Sequence, residues 1–245
     1  MNLKDKVVIV TGASSRIGLA AAELLTKRGA KVALVARSIE RLHEISKRLL
    51  DSHPIQADMA REDDVKSIVK ETKHHYGRID VLINNAGQGY DAPVEKLNIG
   101  TYRKIFDLNV IGHLIAMQQV ITIMREQKEG MIVNISSGLA LMSLPNMSPY
   151  ASMKSALVNL SLTAREELKK DNIQVIVVYP YITDTDFEKN TTREIVEEIS
   201  EHGEEHGALR PPDSPEYVAQ KIVEGIESGE GEIFAHDWMR KMKRS

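Results

Sequence analysis

Short β-branched runs alternate with helical stripes along the whole chain. Val7 to Val10, Val32 to Val35, Val81 to Ile83, Ile132 to Ile135 and Ile173 to Val178 are continuous apolar runs of strand length. That is the pattern of strands covered on both faces. Between the first two, Ile17, Ala20, Ala21, Leu24 and Leu25 recur at helical spacing, and Gly29 after Lys27 and Arg28 supplies a stop signal. Strand, helix, strand is the unit of a parallel sheet. Further helices are expected near 38–50, 61–76, 101–127, 150–169 and 214–228, a short strand near Ile55 and Gln56, and a last strand at Glu232 to Ala235. The expected fold class is α/β, a doubly wound parallel sheet of about seven strands with helices on both faces, as a single domain. In such a sheet ligands gather at the carboxyl ends of the strands.

One segment breaks the alternation. Asp184 to Pro215 is rich in Glu, Thr, His and Gly and closes on Arg210, Pro211 and Pro212. Its place just after the run Ile173 to Val178 favours a substrate lid over 184–212 against an inert surface excursion.

Composition narrows the function classes. With 42% hydrophobic and 27% charged residues the chain is globular rather than disordered. The absence of cysteine removes disulfides, thiol nucleophiles and cysteine-ligated zinc, and it fits a reducing cytoplasmic setting. A net charge of -3 gives no general attraction for nucleic acid or anionic membrane. The basic tail Arg240, Lys241, Lys243 and Arg244 reads as a solvated end. Val7 to Val10 is too short for the apolar part of a secretory signal, and no unbroken apolar run reaches the roughly 18 residues of a membrane span. His202 and His206 have helical metal-ligand spacing, but Gly203 weakens the helix, and a solvated acidic face with no metal is the expectation.

Gly12, Ser14, Ser15, Arg16, Ile17 and Gly18 lie between the first strand and the first helix, where backbone N–H groups and the helix dipole can hold a pyrophosphate. Alone, such a glycine turn is often only tight packing. Here Asn85, Ala86 and Gly87 follow a strand, Asn109 sits in a helix and Ser137 ends a strand. Tyr150, Ala151, Ser152, Met153 and Lys154 open a helix. Tyr150 and Lys154 are one turn apart and project from one face. Free tyrosine titrates near about 10, and a nearby ammonium would favour its phenolate.

Together these motifs resemble the classical short-chain dehydrogenase/reductase family, from about Lys4 to Pro180 and less closely to Ala235. The resemblance implies a Rossmann-type NAD(P)-binding domain, 1–245, and an oxidoreductase that moves a hydride between cofactor and a carbonyl or alcohol substrate. It implies Tyr150 as the proton-transfer residue, Ser137 as the hydrogen-bond partner of the substrate oxygen and Lys154 on the nicotinamide ribose. Asn109 is implied to hold a water beside that lysine. Asp58 with Met59 falls at the adenine-contacting position, and Pro180, Thr183 and Thr185 fall near the carboxamide. A homo-dimer or homo-tetramer built on the two long helices is implied as well.

Cofactor choice is legible separately. An NAD-specific site places a carboxylate at the end of the second strand. Here Ala36, Arg37 and Ser38 stand there, and Arg37 offers a donor fork for a 2′-phosphate, which favours NADP(H) over NAD(H). Two departures from the family pattern remain. Arg16 replaces the central glycine of the turn, and Tyr181 replaces a glycine after Pro180. They keep open an alternative, a catalytically impaired nucleotide-binding or interaction protein on the same fold.

Overall fold

The computed structural model describes residues 1–183, 191–194 and 211–243. The strands are β1 (Val7–Thr11), β2 (Lys31–Ala36), β3 (Ser52–Gln56), β4 (Val81–Asn84), β5 (Tyr90–Asp91), β6 (Gly130–Ile135), β7 (Ile173–Tyr179), β8 (Thr192–Arg193) and β9 (Glu232–Phe234). The helices are α1 (Arg16–Lys27), α2 (Ile39–Ser46), α3 (Glu62–Tyr76), α4 (Ile99–Phe106), α5 (Gly112–Gln127), α6 (Ser148–Leu168), α7 (Pro215–Ser228) and α8 (Asp237–Met242). Seven strands form one sheet in the order β3-β2-β1-β4-β6-β7-β9, all neighbours parallel.

The continuous apolar runs have the two-sided burial expected of them. Val8 and Val10 face one layer with Leu25, Leu34, Ile222 and Val223, while Ile9 between them faces the other with Leu82, Val120 and Ile132. Strand alternation divides a single run between two cores. Each fully buried aliphatic side chain contributes about 1.5–3 kcal/mol relative to exposure. Helices α1 and α7 cover the first face, α3 and α5 the second.

Helix ends differ from the periodicity where the chain must turn. The helix expected to reach residue 50 stops at Ser46, because Asp51 takes φ 55° to lead into the edge strand at Ser52. The long helix expected over 101–127 runs from Ile99 to Gln127, with a π-helical turn at Asp107–Ile111. Among the described residues this is the one helix long and apolar enough to cross a membrane, and its buried side packs on α3 and β4 like a core helix.

The basic residues Arg240, Lys241 and Lys243 are exposed as expected, but they ride on an anchored helix rather than a loose end. Asp237–Met242 is helical, buries Met239, and sets Arg240 against Glu230 at 2.8 Å and Lys243 against Glu232 at 2.6 Å. Met239 supplied the missing signal, a buried anchor hidden among charges. Two further strands escaped periodicity altogether: β5 and β8 pair in parallel, Tyr90 with Thr192 and Asp91 with Arg193. The ends of the 184–212 segment also meet, since Asp213 N donates to Ile182 O at 2.8 Å and Thr183 bridges Asp213. The Asp213 carboxylate in turn holds His236 Nε2 at 3.0 and 3.1 Å.

Candidate active site

The strand order reverses between β1 and β4, and this opens a crevice beyond their carboxyl ends. Thr11 ties the two ends together: its hydroxyl donates to Ile83 O at 3.2 Å and accepts from Asn85 N at 2.9 Å and Ala86 N at 3.0 Å. The Asn85 side chain donates to Thr11 O at 2.9 Å. The turn that follows needs its glycines. Gly12 has φ 69°, and a Cβ on Gly18 would collide with the Gly12 carbonyl. Arg16 takes φ 56°, so the turn keeps a glycine's backbone angle under a side chain that disfavours it. The first turn of α1 carries no acidic residue, and the Ser15 side chain caps none of its N–H groups. A donor-rich, positively biased helix start of this kind suits a phosphate. Ser14 and Ile17 flank it.

Next along the sheet edge, Arg37 follows β2 and is exposed, and among the described residues it pairs with no carboxylate. After β3, the Asp58 carboxylate accepts from Ala60 N at 2.9 Å, and Met59 is buried. Gly112 is required here, because a Cβ on it would strike the Met59 carbonyl.

Tyr150 and Lys154 meet on α6, and Ser137 opens the short 3-10 turn that packs on this helix. Pro149 near the start of α6 is preorganised for the first turn, and the helix presents Tyr150 and Lys154 inward, both buried. Lys154 Nζ donates to Ile135 O at 2.9 Å and lies 5.6 Å from the Tyr150 ring centre. No carboxylate pairs with this ammonium among the described residues, and burial lowers its pKa to about 8. Burial, with the Asp91 carboxylate as a second cause, pushes the Tyr150 hydroxyl above the ordinary tyrosine range. The acidifying influence expected from Lys154 does not set the direction of this shift; burial does. Ser137 Oγ accepts from Leu139 N at 3.2 Å, which orients the hydroxyl at the start of a short 3-10 turn.

Asn109 lies on the π-turn and is fully buried. Its side chain donates to Gln88 O at 2.8 Å and accepts from Gln88 N at 2.9 Å. Its oxygen stands 3.1 Å, and Lys154 Nζ 3.7 Å, from the place a Cβ would take on Gly87. Gly87 thus leaves the backbone open beside the lysine.

Beyond β7, Pro180 O accepts from Gly138 N at 2.8 Å, so the chain after Tyr179 closes on the residue next to Ser137. Tyr181 turns toward the C-terminal segment, edge-on to His236 at 5.9 Å and Trp238 at 5.4 Å between ring centres. Thr183 donates to Tyr181 O at 3.0 Å. Thr185, His202, His206 and most of the 184–212 segment lie outside the described residues. Among the described residues no three His, Asp or Glu side chains are grouped to hold a metal.

Sequence reasoning missed His113 in this region, together with the contacts that Asn84 and Gln88 make. His113 is fully buried and its Nε2–H donates to Ala86 O at 2.8 Å; burial, with Lys154 nearby, lowers its pKa to about 3 and keeps the ring neutral. Its place four residues after Asn109, one helical turn, was the available signal. Asn84 donates to Asn134 Oδ1 at 2.8 Å across β4 and β6, and two asparagines within apolar strands marked that pair.

The short chain dehydrogenase family matches residues 6–196. An uncharacterized oxidoreductase of Staphylococcus saprophyticus is 35% identical over 76% of this chain and 77% of its own length. A levodione reductase of Leifsonia aquatica is 32% identical over 78% of this chain and 74% of its own length. Among solved structures, a short-chain dehydrogenase from Streptomyces avermitilis superposes with a TM-score of 0.89 at 27% identity, covering 100% of this chain and 92% of that one.

Proposed function

Because this chain belongs to the short chain dehydrogenase family of oxidoreductases, we propose that it is an NADP(H)-dependent carbonyl reductase or alcohol dehydrogenase with Tyr150 as its acid/base. The observation that carries the reading is Lys154, a buried ammonium held by a backbone carbonyl and by no carboxylate among the described residues, one helical turn from a buried phenol. An unpaired buried cation is costly to the fold and is a mark of a working site.

In this reading the turn from Gly12 to Gly18 holds the pyrophosphate, and Asn85, Ala86 and Gly87 line the crevice. Asp58 and Met59 border the adenine, and Pro180, Thr183 and Thr185 border the nicotinamide. Arg37 and Arg16 bind the 2′-phosphate, which no carboxylate at the end of β2 repels. The bound nicotinamide supplies or takes the hydride. Ser137 donates a hydrogen bond to the substrate oxygen, Tyr150 gives or takes the proton at that oxygen, and Lys154 anchors the ribose and favours the phenolate. Asn109 holds the loop at Gln88 beside Lys154. A relative named for reduction of levodione supports a carbonyl compound as the substrate class. The segment 184–212 acts as a lid in a single-domain cytoplasmic enzyme. A groove between α5 and α6, lined by Leu114, Ile121, Thr122, Asn159, Leu160 and Thr163, lies on the two long helices proposed to join copies as a dimer or tetramer.

The test is equilibrium binding of NADPH and NADH, followed by turnover with a panel of ketones, aldehydes and alcohols. NADPH is expected to bind at least tenfold more tightly, and Tyr150→Phe to abolish turnover while leaving binding largely intact. Tighter NADH binding would overturn the cofactor assignment, and full activity in Tyr150→Phe the acid/base role. A second reading, a nucleotide-binding protein without turnover, is favoured by the left-handed Arg16 and the raised Tyr150 hydroxyl. It predicts cofactor binding with no turnover across the panel.

A further inference from the structure

The loop after β4 is pinned to its neighbours almost group by group. Asn85 N and Ala86 N both donate to the Thr11 hydroxyl, and Gln88 N donates to Asn109 Oδ1. Of the main-chain donors of 85–88 this leaves Gly87 N–H, which has no partner among the described residues. Gly87 is exposed, while Ala86 and Gln88 on either side are partly covered.

His113 decides where that donor points. Its Nε2–H donates to Ala86 O at 2.8 Å from a ring with no solvent exposure. Ala86 O and Gly87 N–H belong to one peptide unit, which is planar and trans, so the carbonyl and the N–H point in opposite directions. Holding the carbonyl in toward α5 therefore turns the N–H out into the crevice. Lys154 Nζ lies 3.7 Å from the place a Cβ would take on Gly87, so the exposed donor stands beside the ammonium, at the proton-transfer end. Asn109, one helical turn before His113 and on the π-turn, secures the next residue, Gln88, by both main-chain groups. Burial keeps the His113 ring neutral, so this anchor is a single N–H bond rather than a charge.

We propose that His113 is a positioning residue for the dinucleotide: by fixing the peptide between Ala86 and Gly87 it presents Gly87 N–H as a donor to an oxygen of the nicotinamide half. Thr11 and Asn109 fix the residues on either side, and His113 sets the plane between them. A donor fixed before binding needs no ordering when the ligand arrives, and affinity is gained by that preorganisation. The contact lies away from the 2′-phosphate, so it serves NADPH and NADH alike. The inference rests on the cofactor-binding reading above.

Ala86 and Gly87 form the chain's single Ala–Gly step. The full chain labelled with carbonyl carbon-13 alanine and nitrogen-15 glycine therefore gives one amide signal that links the two residues. NADP⁺ is expected to move the Gly87 proton downfield in wild type, and 2′,5′-ADP, which lacks the nicotinamide half, to leave it in place. His113→Leu should move the Ala86 carbonyl carbon upfield, shrink the effect of NADP⁺ on the Gly87 proton, and weaken NADPH and NADH by about tenfold each. His113→Gln, whose amide reaches the same carbonyl, should restore all three toward wild type, with circular dichroism reporting the fold of both variants. A Gly87 proton that NADP⁺ leaves unmoved in wild type, or that 2′,5′-ADP moves equally, overturns the inference even where His113→Leu does not fold. So does a folded His113→Leu with wild-type affinities or with a loss confined to NADPH. Wild-type protein that binds neither nucleotide removes the cofactor reading and the inference together, so the two failures are told apart.

Discussion

Asn109 grips Gln88 by both of its main-chain groups, at 2.8 Å through Nδ2 and 2.9 Å through Oδ1. The side chain of the same Gln88 reaches on to Thr192. One buried amide thus joins the π-turn of the helix, the loop after β4 and the chain beyond β7. Asn109→Ala would strand a backbone donor and acceptor together and leave a small cavity. A stability loss of about 2–4 kcal/mol is expected in urea unfolding. Asn109→Asp, which keeps the acceptor alone, should fall between that variant and wild type. A loss below about 0.5 kcal/mol for Asn109→Ala would refute the clamp.

Arg16 is held at φ 56°, where glycine is at ease. Arg16→Gly should change stability by less than about 1 kcal/mol, because relief of the left-handed angle is offset by glycine's greater unfolded-state freedom. Its effect on ligands should be selective, an NADPH affinity about tenfold weaker, or about 1.4 kcal/mol, with NADH unchanged. Calorimetric titration of both nucleotides decides it; an equal loss for the two would mean that Arg16 does not read the 2′-phosphate.

Lys154 carries a cost that depends on pH. Its pKa is lowered from 10.5 to about 8 in the folded protein, so between those values the unfolded chain holds a proton that the native state has released. Stability therefore rises with pH across that window, and the penalty is fully present below about 8. Lys154→Met should stabilise the cofactor-free protein near neutrality by about 1–3 kcal/mol, with the gain fading toward about pH 10. Thermal melts at a series of pH values measure it, and a gain that does not vary with pH would contradict the assignment.

His113 predicts acid sensitivity. With its pKa lowered from 6.5 to about 3, the unfolded chain takes up a proton that the native state refuses, and stability falls as pH drops through that interval. This group alone should remove roughly 3 kcal/mol between neutrality and about pH 4. His113→Gln, which retains a donor for Ala86 O, should flatten the acid limb of the stability curve. An acid limb as steep as that of wild type would show that the loss arises elsewhere.

The parallel sheet was readable because runs such as Val7 to Val10 admit few alternatives once both faces are buried. The placing of Tyr150 and Lys154 on one face of α6 was readable because a single helical turn separates them. Contacts that depend on tertiary docking were not. β5 and β8 have two residues each, too few for any period, and each exists only through the other. The π-turn changes the helical phase at Asp107–Ile111, where a regular 3.6-residue reading has no term for it. The raised Tyr150 hydroxyl also escaped, since spacing shows its neighbour Lys154 but not the burial that sets the shift.

Thr183 and Asp213 already meet at the sheet edge, with His236 bound to the latter's carboxylate. The join is made by residues flanking 184–212, so exchange of the intervening chain leaves its endpoints in place. Closure entropy varies slowly with contour length, by about 0.6 kcal/mol for each doubling. The join is a splice point at which the intervening chain can be rewritten, by evolution or by design, while the sheet keeps its stability.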